Sequence, residues 1–299
     1  MSHCLSLIAN PAGPPLLTDH VTGARDALGG AGARVNEPDW LAPTIACDLP
    51  FAGAEPIAAE RAVRAALAGA PIDLAVQRHS DRRKRVLVAD MDSTIINVEC
   101  IDELADHLGI KPRIAAITER AMRGELDFAS ALKERVALLA GLSEGVIETI
   151  WRERVRLNPG ARELVLTMRA GGARTLLVSG GFKQFTARVR DAAGFDEDHA
   201  NTLIIEGGHL TGRVGEPILG AEAKLERLKT SCAALGLGPE AALAVGDGAN
   251  DATMIKVAGL GVAYHAKPIL KSAANAVIDH GDLTALLYLQ GYRRAEFRR

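Results

Sequence analysis

The sequence has little of what marks secreted, zinc-binding or membrane proteins. Its 299 residues include four cysteines without a C-x-x-C pair, so neither a disulfide framework nor a zinc cluster is predicted. No segment approaches the roughly 18 uninterrupted apolar residues of a membrane helix. The first residues lack the basic region, apolar run and cleavage site of a signal peptide, so we expect a cytoplasmic protein without a membrane partner. The thiols, expected to be buried and reduced, belong to Cys4, Cys47, Cys100 and Cys232.

The sequence also lacks an excess of charge of either sign. Its formal net charge is -2, so no global field would attract nucleic acid or anionic lipid. Two local runs are basic, RHSDRRKR at 78–85 and YRRAEFRR at 292–299. Such runs could bind polyanions, but they are more typical of solvated linkers and tails. We therefore predict no nucleic-acid partner.

The patterns that are present divide the chain into two parts. Residues 1–80 show the order strand, helix, strand, strand, helix, strand, which predicts a small α+β sandwich. Residues 85–290 show short runs that are apolar throughout and alternate with helices, which predicts an α/β domain with a buried parallel sheet. A stretch at about 98–157 has helical periodicity and almost no strand signal, so a helical insertion is predicted there. Gly207 and Gly208 between two β-rich runs predict a hairpin.

Carboxylates follow two of the apolar runs, where the strands should end. Asp90 and Asp92 come directly after VLVA, and Asp247 and Asp251 follow ALAV in the segment GDGAND. The carboxyl ends of parallel strands meet at one edge of a sheet, so these groups should gather. Because they would repel one another, a hard divalent cation is needed between them, and Mg²⁺ fits best. The first pair also suits phosphoryl transfer, since one carboxylate can attack phosphorus while the other handles a proton.

Groups suited to a phosphate occur at a third run. Ser179-Gly180-Gly181 follows TLLV and offers a hydroxyl with backbone N–H groups that glycine leaves unobstructed. Lys224, on a predicted helix, could add positive charge. Each motif alone also occurs as an ordinary turn, but three in order at strand ends favour a catalytic site. Walker A and EF-hand patterns are not matched, and the histidines show no metal-binding spacing.

With these motifs the sequence resembles the haloacid dehalogenase-like phosphatases over about residues 85–290. The resemblance implies a Rossmann-like domain with a helical cap inserted after the first strand. It implies that Asp90 is the nucleophile and Asp92 the general acid and base. It also implies a magnesium ion held by Asp90, the Asp92 backbone carbonyl and Asp247, with Asp251 completing the shell. The phosphoryl group would then be bound by Ser179, Gly180, Lys224 and Asn250.

The cap resembles those members of the family that hydrolyse O-phosphoserine. The resemblance implies that Glu99 binds the ammonium group and Arg135 the carboxylate, for which its planar fork is suited. Met122 and Phe128 would form an apolar wall. The implied reaction is hydrolysis of O-phospho-L-serine to L-serine and phosphate, the last step of serine biosynthesis. Another small phosphate ester, transfer to an acceptor other than water, and a serine-sensing protein without turnover are the alternatives.

The N-terminal part resembles an ACT-like, ferredoxin-like regulatory domain in the segment ANPAGPPLL and the helix that follows it. It differs from that pattern at Asn10, where an Asp is usual, which puts amino-acid binding in doubt. Dimerisation, as a homodimer, or packing on the catalytic part is then the expected role of residues 1–80.

Overall fold

Two main sheets divide the chain into an N-terminal unit and a larger second unit. The computed structural model describes residues 1–299 apart from the side chain of Met122, so the predicted contact of Met122 with a substrate lies outside the described part. No helix of that part is both long and apolar enough to cross a membrane. All four cysteines are buried, as predicted.

The N-terminal unit is an antiparallel sheet with two helices. Its strands are β1 (His3–Ala9), β2 (Arg34–Val35), β3 (Asp39–Ala42), β4 (Ala46–Ala52) and β5 (Ile72–Arg78), and its helices are α1 (Thr18–Gly30) and α2 (Pro56–Ala66). The strand order is β2-β4-β1-β5, with β3 beside β4. Alternation along β1 places Leu5 and Leu7 in the core beneath the helices and Ile8 in the core of the second unit. Both faces of this sheet are therefore covered.

The second unit contains a six-stranded parallel sheet in the order β13-β12-β11-β6-β7-β8. These strands are β6 (Val86–Ala89), β7 (Arg174–Phe182), β8 (Glu197–Asn201), β11 (Ala242–Gly246), β12 (Leu260–Tyr264) and β13 (Ala276–Ile278). The helices around it are α7 (Ala161–Ala170), α8 (Lys183–Ala193), α9 (Ala221–Ala234), α10 (Ala252–Val257), α11 (Pro268–Lys271) and α12 (Ala285–Leu289). Leu87 and Val88 on β6 enter cores on opposite faces, which explains the continuous apolar runs.

The position of β6 determines where a ligand can bind. The chain places β7 and β8 on one side of β6 and β11 to β13 on the other, so the strand order reverses there. In open parallel sheets the crevice at such a reversal, beyond the carboxyl ends of the strands, is the usual ligand site. The carboxyl ends of β6 and β11 are adjacent, since the two strands pair in register from Val86 with Ala242 to Ala89 with Val245.

A helical cap and a hairpin lie over this edge of the sheet. The cap consists of α3 (Cys100–His107), α4 (Lys111–Met122), α5 (Phe128–Ala137) and α6 (Gly145–Glu153). The hairpin strands are β9 (Leu203–Glu206) and β10 (His209–Val214), joined at Gly207 and Gly208, both with positive φ. Reciprocal backbone bonds of 2.8 Å join Leu210 to Gly141 and Leu142 and so tie hairpin to cap. The predicted fold class is confirmed, whereas the limits of the domains stay predictions.

The interpretation of the basic run at 78–85 as a solvated linker is wrong for Arg82. Arg82 is buried, because its guanidinium pairs with the buried Asp48 of β4. It also donates to the backbone carbonyls of Tyr288 and Leu289, at 3.0 Å each, and so joins the N-terminal sheet to α12. In the C-terminal run, Arg293 pairs with Asp39 at 2.7 Å. Both runs supply contacts between the two units.

Candidate active site

The loop that leaves β6 carries the predicted nucleophile. The Asp90 backbone N–H donates to the carbonyl of Val245 at the end of β11, at 3.0 Å, which fixes this residue where the two strands end. Oδ1 of Asp90 accepts a hydrogen bond of 2.8 Å from the Met91 N–H. The residue is buried, with 5% of its surface exposed. Oδ2 lies 3.4 Å from the amide nitrogen of Asn250.

Lys224 lies beneath this loop as a fully buried cation. Its Nζ is 2.8 Å from Oδ1 of Asp90 and 2.7 Å from Oδ1 of Asp251. Burial alone would lower the pKa of Lys224, but the two carboxylates outweigh it and raise the pKa above its ordinary value. Lys224 therefore stays charged, as its predicted role at a phosphoryl group requires.

Three carboxylates gather at the ends of β6 and β11. Asp90, Asp247 and Asp251 each offer an oxygen within 4.8 Å of the others. Burial, with repulsion from Asp90 and Glu99, raises the pKa of Asp247 to about 6. Burial, with repulsion from Asp90, raises the pKa of Asp251 to about 7. A crowded set of carboxylate oxygens is the donor set that a hard divalent cation prefers, so this cluster could hold a metal.

Asp92 is held apart from that cluster by two hydrogen bonds. Its Oδ1 accepts from the Cys100 backbone N–H at 2.9 Å and its Oδ2 from the Ser179 hydroxyl at 3.2 Å. Burial, with the nearby charges of Glu99 and Asp90, raises the pKa of Asp92 to about 7. A carboxyl group with this pKa can both give and take a proton near neutral pH.

The end of β7 carries Ser179, Gly180 and Gly181, the residues predicted to bind phosphate. The Gly181 N–H donates to the Ser179 hydroxyl at 2.8 Å. A Cβ at Gly181 would lie 2.7 Å from Oδ2 of Asp92, so only glycine fits between these two side chains. The Gly180 carbonyl accepts a 2.9 Å bond from Asn201, a buried residue at the end of β8. Asn201 was missed from the sequence, although a polar residue at the end of a predicted strand was the available signal.

A cavity of about 420 Å³ lies between the sheet edge and the cap. It brings together most of the predicted side chains, with Lys224 and Asp251 beneath its floor. Lys267 and Asp102 also line it, and neither was predicted. The predicted residues on its wall are Asp90, Asp92, Glu99, Phe128, Arg135, Ser179, Gly180, Asp247 and Asn250.

The cap contributes a charge of each sign and an aromatic ring. The side chain of Glu99 faces the open cavity, and its partial desolvation raises its pKa. Arg135 donates to the Ala131 carbonyl at 3.2 Å, and burial lowers its pKa. The ring of Phe128 lies against Gly180, where an added Cβ would come within 3.0 Å of the ring. The cap therefore contacts the edge of the sheet through the ring of Phe128, which packs on Gly180.

Comparison with known proteins agrees with this geometry. A model of the haloacid dehalogenase-like hydrolases matches residues 87–256. A phosphoserine phosphatase of Albidiferax ferrireducens is 50% identical over 211 residues, 69% of this chain and 89% of that protein. A probable phosphoserine phosphatase of Vibrio cholerae superposes with a TM-score of 0.78 at 30% identity, over 99% of this chain and 88% of that one. A phosphoserine phosphatase structure containing a phospho-aspartyl intermediate analogue gives a TM-score of 0.64 at 38% identity, over 69% of this chain and 98% of that one. The chain therefore belongs to the haloacid dehalogenase-like hydrolase family.

Proposed function

We propose that the protein is a phosphomonoesterase that hydrolyses O-phospho-L-serine to L-serine and phosphate through an aspartyl-phosphate on Asp90. The observation that carries the proposal is one cavity in which Asp90 and Asp92 of the sheet edge meet Glu99 and Arg135 of the cap. Phosphoserine bears an ammonium and a carboxylate besides its phosphate, so its charges match that set. Relatives named phosphoserine phosphatase, at up to 50% identity, support the same substrate.

In the first half-reaction an oxygen of Asp90 attacks phosphorus and the bond to the seryl oxygen breaks. The Met91 N–H and Lys224 hold Oδ1 of Asp90, so Oδ2 is the oxygen with more freedom to attack. Asp92 gives its proton to the seryl oxygen, and the raised pKa of Asp92, about 7, keeps that proton available near neutral pH. The products are L-serine and the aspartyl-phosphate.

In the second half-reaction water attacks the same phosphorus. The ionised Asp92 takes a proton from this water, and the bond between phosphorus and Asp90 breaks. Phosphate leaves, while Asp90 returns to a carboxylate and Asp92 to its protonated form. Dividing the hydrolysis in this way replaces one difficult displacement by two easier ones.

Charge on the transferring phosphoryl group is neutralised by groups at the three strand ends. Lys224 and the Ser179 hydroxyl, with the N–H groups of the Gly180 segment, would bind its oxygens. The carboxylates of Asp90 and Asp247 and the backbone carbonyl of Asp92 would hold Mg²⁺, with Asp251 completing the shell. A bound Mg²⁺ supplies positive charge to the phosphoryl oxygens.

The test is initial phosphate release from O-phosphoserine and from two esters that each lack one of its charged groups. O-Phosphoserine has both groups, O-phosphoethanolamine lacks the carboxylate, and the phosphate ester of 3-hydroxypropanoate lacks the ammonium. We expect preference for O-phosphoserine over both, with Mg²⁺ present, and loss of turnover with EDTA. Equal use of the three esters would support the aspartate mechanism but refute O-phosphoserine as the preferred substrate. Turnover of none of them would favour a transferase or a binding protein.

Arg135→Met sharpens the test of the substrate carboxylate. Removing one side of a buried charge pair should weaken use of O-phosphoserine by about 2 kcal/mol or more. Because O-phosphoethanolamine has no carboxylate, its use should hardly change. A variant that handles O-phosphoserine as the wild type does would show that Arg135 does not bind the carboxylate.

Cytoplasmic location, the ACT-like character of the N-terminal unit and a homodimer formed through it stay predictions. Sedimentation velocity of the full chain tests whether a homodimer forms.

A further inference from the structure

The loop between Asp92 and α3 contains a residue in an unusual backbone conformation. Ser93 has φ +54° and ψ 0°, in the left-handed region that side chains other than glycine, asparagine and aspartate seldom adopt. The conformation is held by a backbone bond of 3.3 Å from the Ser93 N–H to the Val98 carbonyl. Such strain persists only where the surrounding structure enforces it, and it is frequent at functional sites.

The left-handed turn directs the Ser93 hydroxyl at Glu99. Its Oγ donates a hydrogen bond of 2.6 Å to Oε1 of Glu99. Among the side chains that the structure describes, Ser93 is the one hydrogen-bond donor to this carboxylate. Oε2 is therefore the oxygen left to meet a ligand in the cavity.

The same loop holds Asp92 independently of Ser93. The carboxyl group of Asp92 is fixed by the Cys100 N–H and the Ser179 hydroxyl, and neither bond involves the Ser93 side chain. Loss of the Ser93 hydroxyl would therefore release Glu99 while the proposed proton-transfer group stays in place. A change at Ser93 should therefore affect substrate binding by Glu99 without affecting proton transfer by Asp92.

We propose that Ser93 is a positioning residue for substrate recognition, whose hydroxyl holds Oε1 of Glu99 so that Oε2 faces the ammonium group of O-phosphoserine. This inference rests on the proposed function, because it takes Glu99 as the group that binds the ammonium. It assigns to Ser93 a role in specificity rather than in the chemical step.

The experiment compares Ser93→Ala and Ser93→Gly with the wild type on the same three esters, by separate determination of kcat and KM. We expect KM to rise about tenfold for the two esters that carry an ammonium, as for a lost hydrogen bond to a charged group, with kcat nearly unchanged. KM for the phosphate ester of 3-hydroxypropanoate should not change. Ser143→Ala, which removes an exposed loop hydroxyl that does not line the cavity, is the matched control and should behave as the wild type.

The glycine variant distinguishes the effect of losing the hydroxyl from the effect of backbone strain, because glycine adopts positive φ without strain. Equal losses in the alanine and glycine variants support the hydroxyl bond. A normal glycine variant beside an impaired alanine variant would assign the effect to backbone strain and overturn the proposal. So would an equal fall of kcat on all three esters, which is what a structural role produces.

Glu99→Gln distinguishes failure of this inference from failure of the proposed function. If Glu99→Gln loses the preference for ammonium-bearing esters and the Ser93 variants keep it, the function stands and the role of Ser93 is refuted. If Glu99→Gln keeps the preference, the ammonium site itself is wrong and both assignments fall. In the double variant, Ser93→Ala should add nothing to Glu99→Gln, since the proposed effect acts through that carboxylate.

Discussion

Two buried cations, Lys224 at the active site and Arg82 between the two units, have opposite surroundings. Lys224 is 1% exposed and pairs with Asp90 and Asp251, and Asp247 lies in the same cluster, so the cluster holds three carboxylates and one ammonium. Arg82 is 8% exposed and faces one carboxylate, that of Asp48. The first site has an excess of negative charge, whereas the second is balanced.

The hydrogen bonds differ in the same way. The Arg82 guanidinium donates to a carboxylate, to the Ser6 hydroxyl and to two backbone carbonyls, so its donors are saturated by the protein. At the active site burial, together with repulsion from Asp90, raises the pKa values of Asp247 and Asp251. A balanced and saturated site is complete without a ligand. An unbalanced one is complete only with added positive charge, and this is the physical difference between a contact that joins units and a site that binds a cation and a phosphate.

Asp90→Asn is expected to give the largest effect on function. The amide keeps the size of the side chain but cannot attack phosphorus, so turnover of O-phosphoserine should fall below detection. Because Lys224 retains Asp251, the fold should persist, which circular dichroism and thermal unfolding would check. Substantial turnover by a folded variant would refute the assignment of Asp90 as nucleophile.

Arg82→Met should give the opposite pattern, a loss of stability without a loss of chemistry. It leaves Asp48 buried without a cation, which should lower the free energy of unfolding by about 3–5 kcal/mol. Urea denaturation measures this change, and kcat and KM of the folded variant should match those of the wild type. A normal stability would show that Asp48 is hydrated or neutral in the protein.

The double variant Asp48→Ala/Arg82→Met sharpens this comparison. Removing both charges removes the unpaired carboxylate, so part of the lost stability should return. If the double variant is less stable than Arg82→Met alone, then Asp48 stabilises the fold through contacts other than its pair with Arg82, such as the 2.6 Å hydrogen bond that it accepts from the Ser6 hydroxyl.

The excess negative charge at the active site should appear as a pH effect in the metal-free protein. The pKa of Asp247 is raised from 3.8 to about 6, so the folded state holds its proton more tightly than the unfolded state does. In EDTA, the contribution of Asp247 to stability should therefore fall as pH rises from about 4 through about 6, because the folded state then bears an unfavourable charge. Thermal unfolding over a pH series measures this slope.

Asp247→Asn isolates the contribution of one carboxylate to that slope. In EDTA the variant should be more stable than the wild type near pH 8 and no more stable near pH 4. Added Mg²⁺ should stabilise the wild type and have a smaller effect on the variant, because ligand binding to the folded state adds to its stability. Parallel slopes for the two proteins would contradict a raised pKa at Asp247.

Much of the active site could be predicted because residues that follow parallel strands in the sequence lie together at one edge of the sheet. Asp90 follows one apolar run directly and Asp247 follows another after Gly246, and β6 and β11 are neighbours, so two motifs distant in sequence meet at one edge. The glycine at 181 could likewise be interpreted from the need for a close approach. These features follow from local pattern and from the geometry of the sheet.

What could not be predicted depends on tertiary partners. The basic run at 78–85 resembles any solvated linker, and Arg82 differs only because Asp48, 34 residues earlier, is buried beside it. Asn201 has no motif, and its role follows from facing both the Gly180 carbonyl and the loop at Leu219. The left-handed conformation of Ser93 goes with its contacts to Val98 and Glu99, five and six residues further along the chain. A single sequence gives no access to such pairings.

Asp39→Asn should have the smallest effect, although it removes a contact between the same two parts of the chain. Asp39 on β3 pairs with Arg293 of the C-terminal run at 2.7 Å, with the two side chains 47% and 52% exposed. Water solvates both charges before and after the change, so the free energy of unfolding should fall by about 1 kcal/mol or less, and less still in high salt. Urea denaturation beside Arg82→Met makes the comparison direct, because both contacts join an arginine to an aspartate of the N-terminal sheet. A loss as large as that of Arg82→Met would mean that burial is not what separates the two contacts.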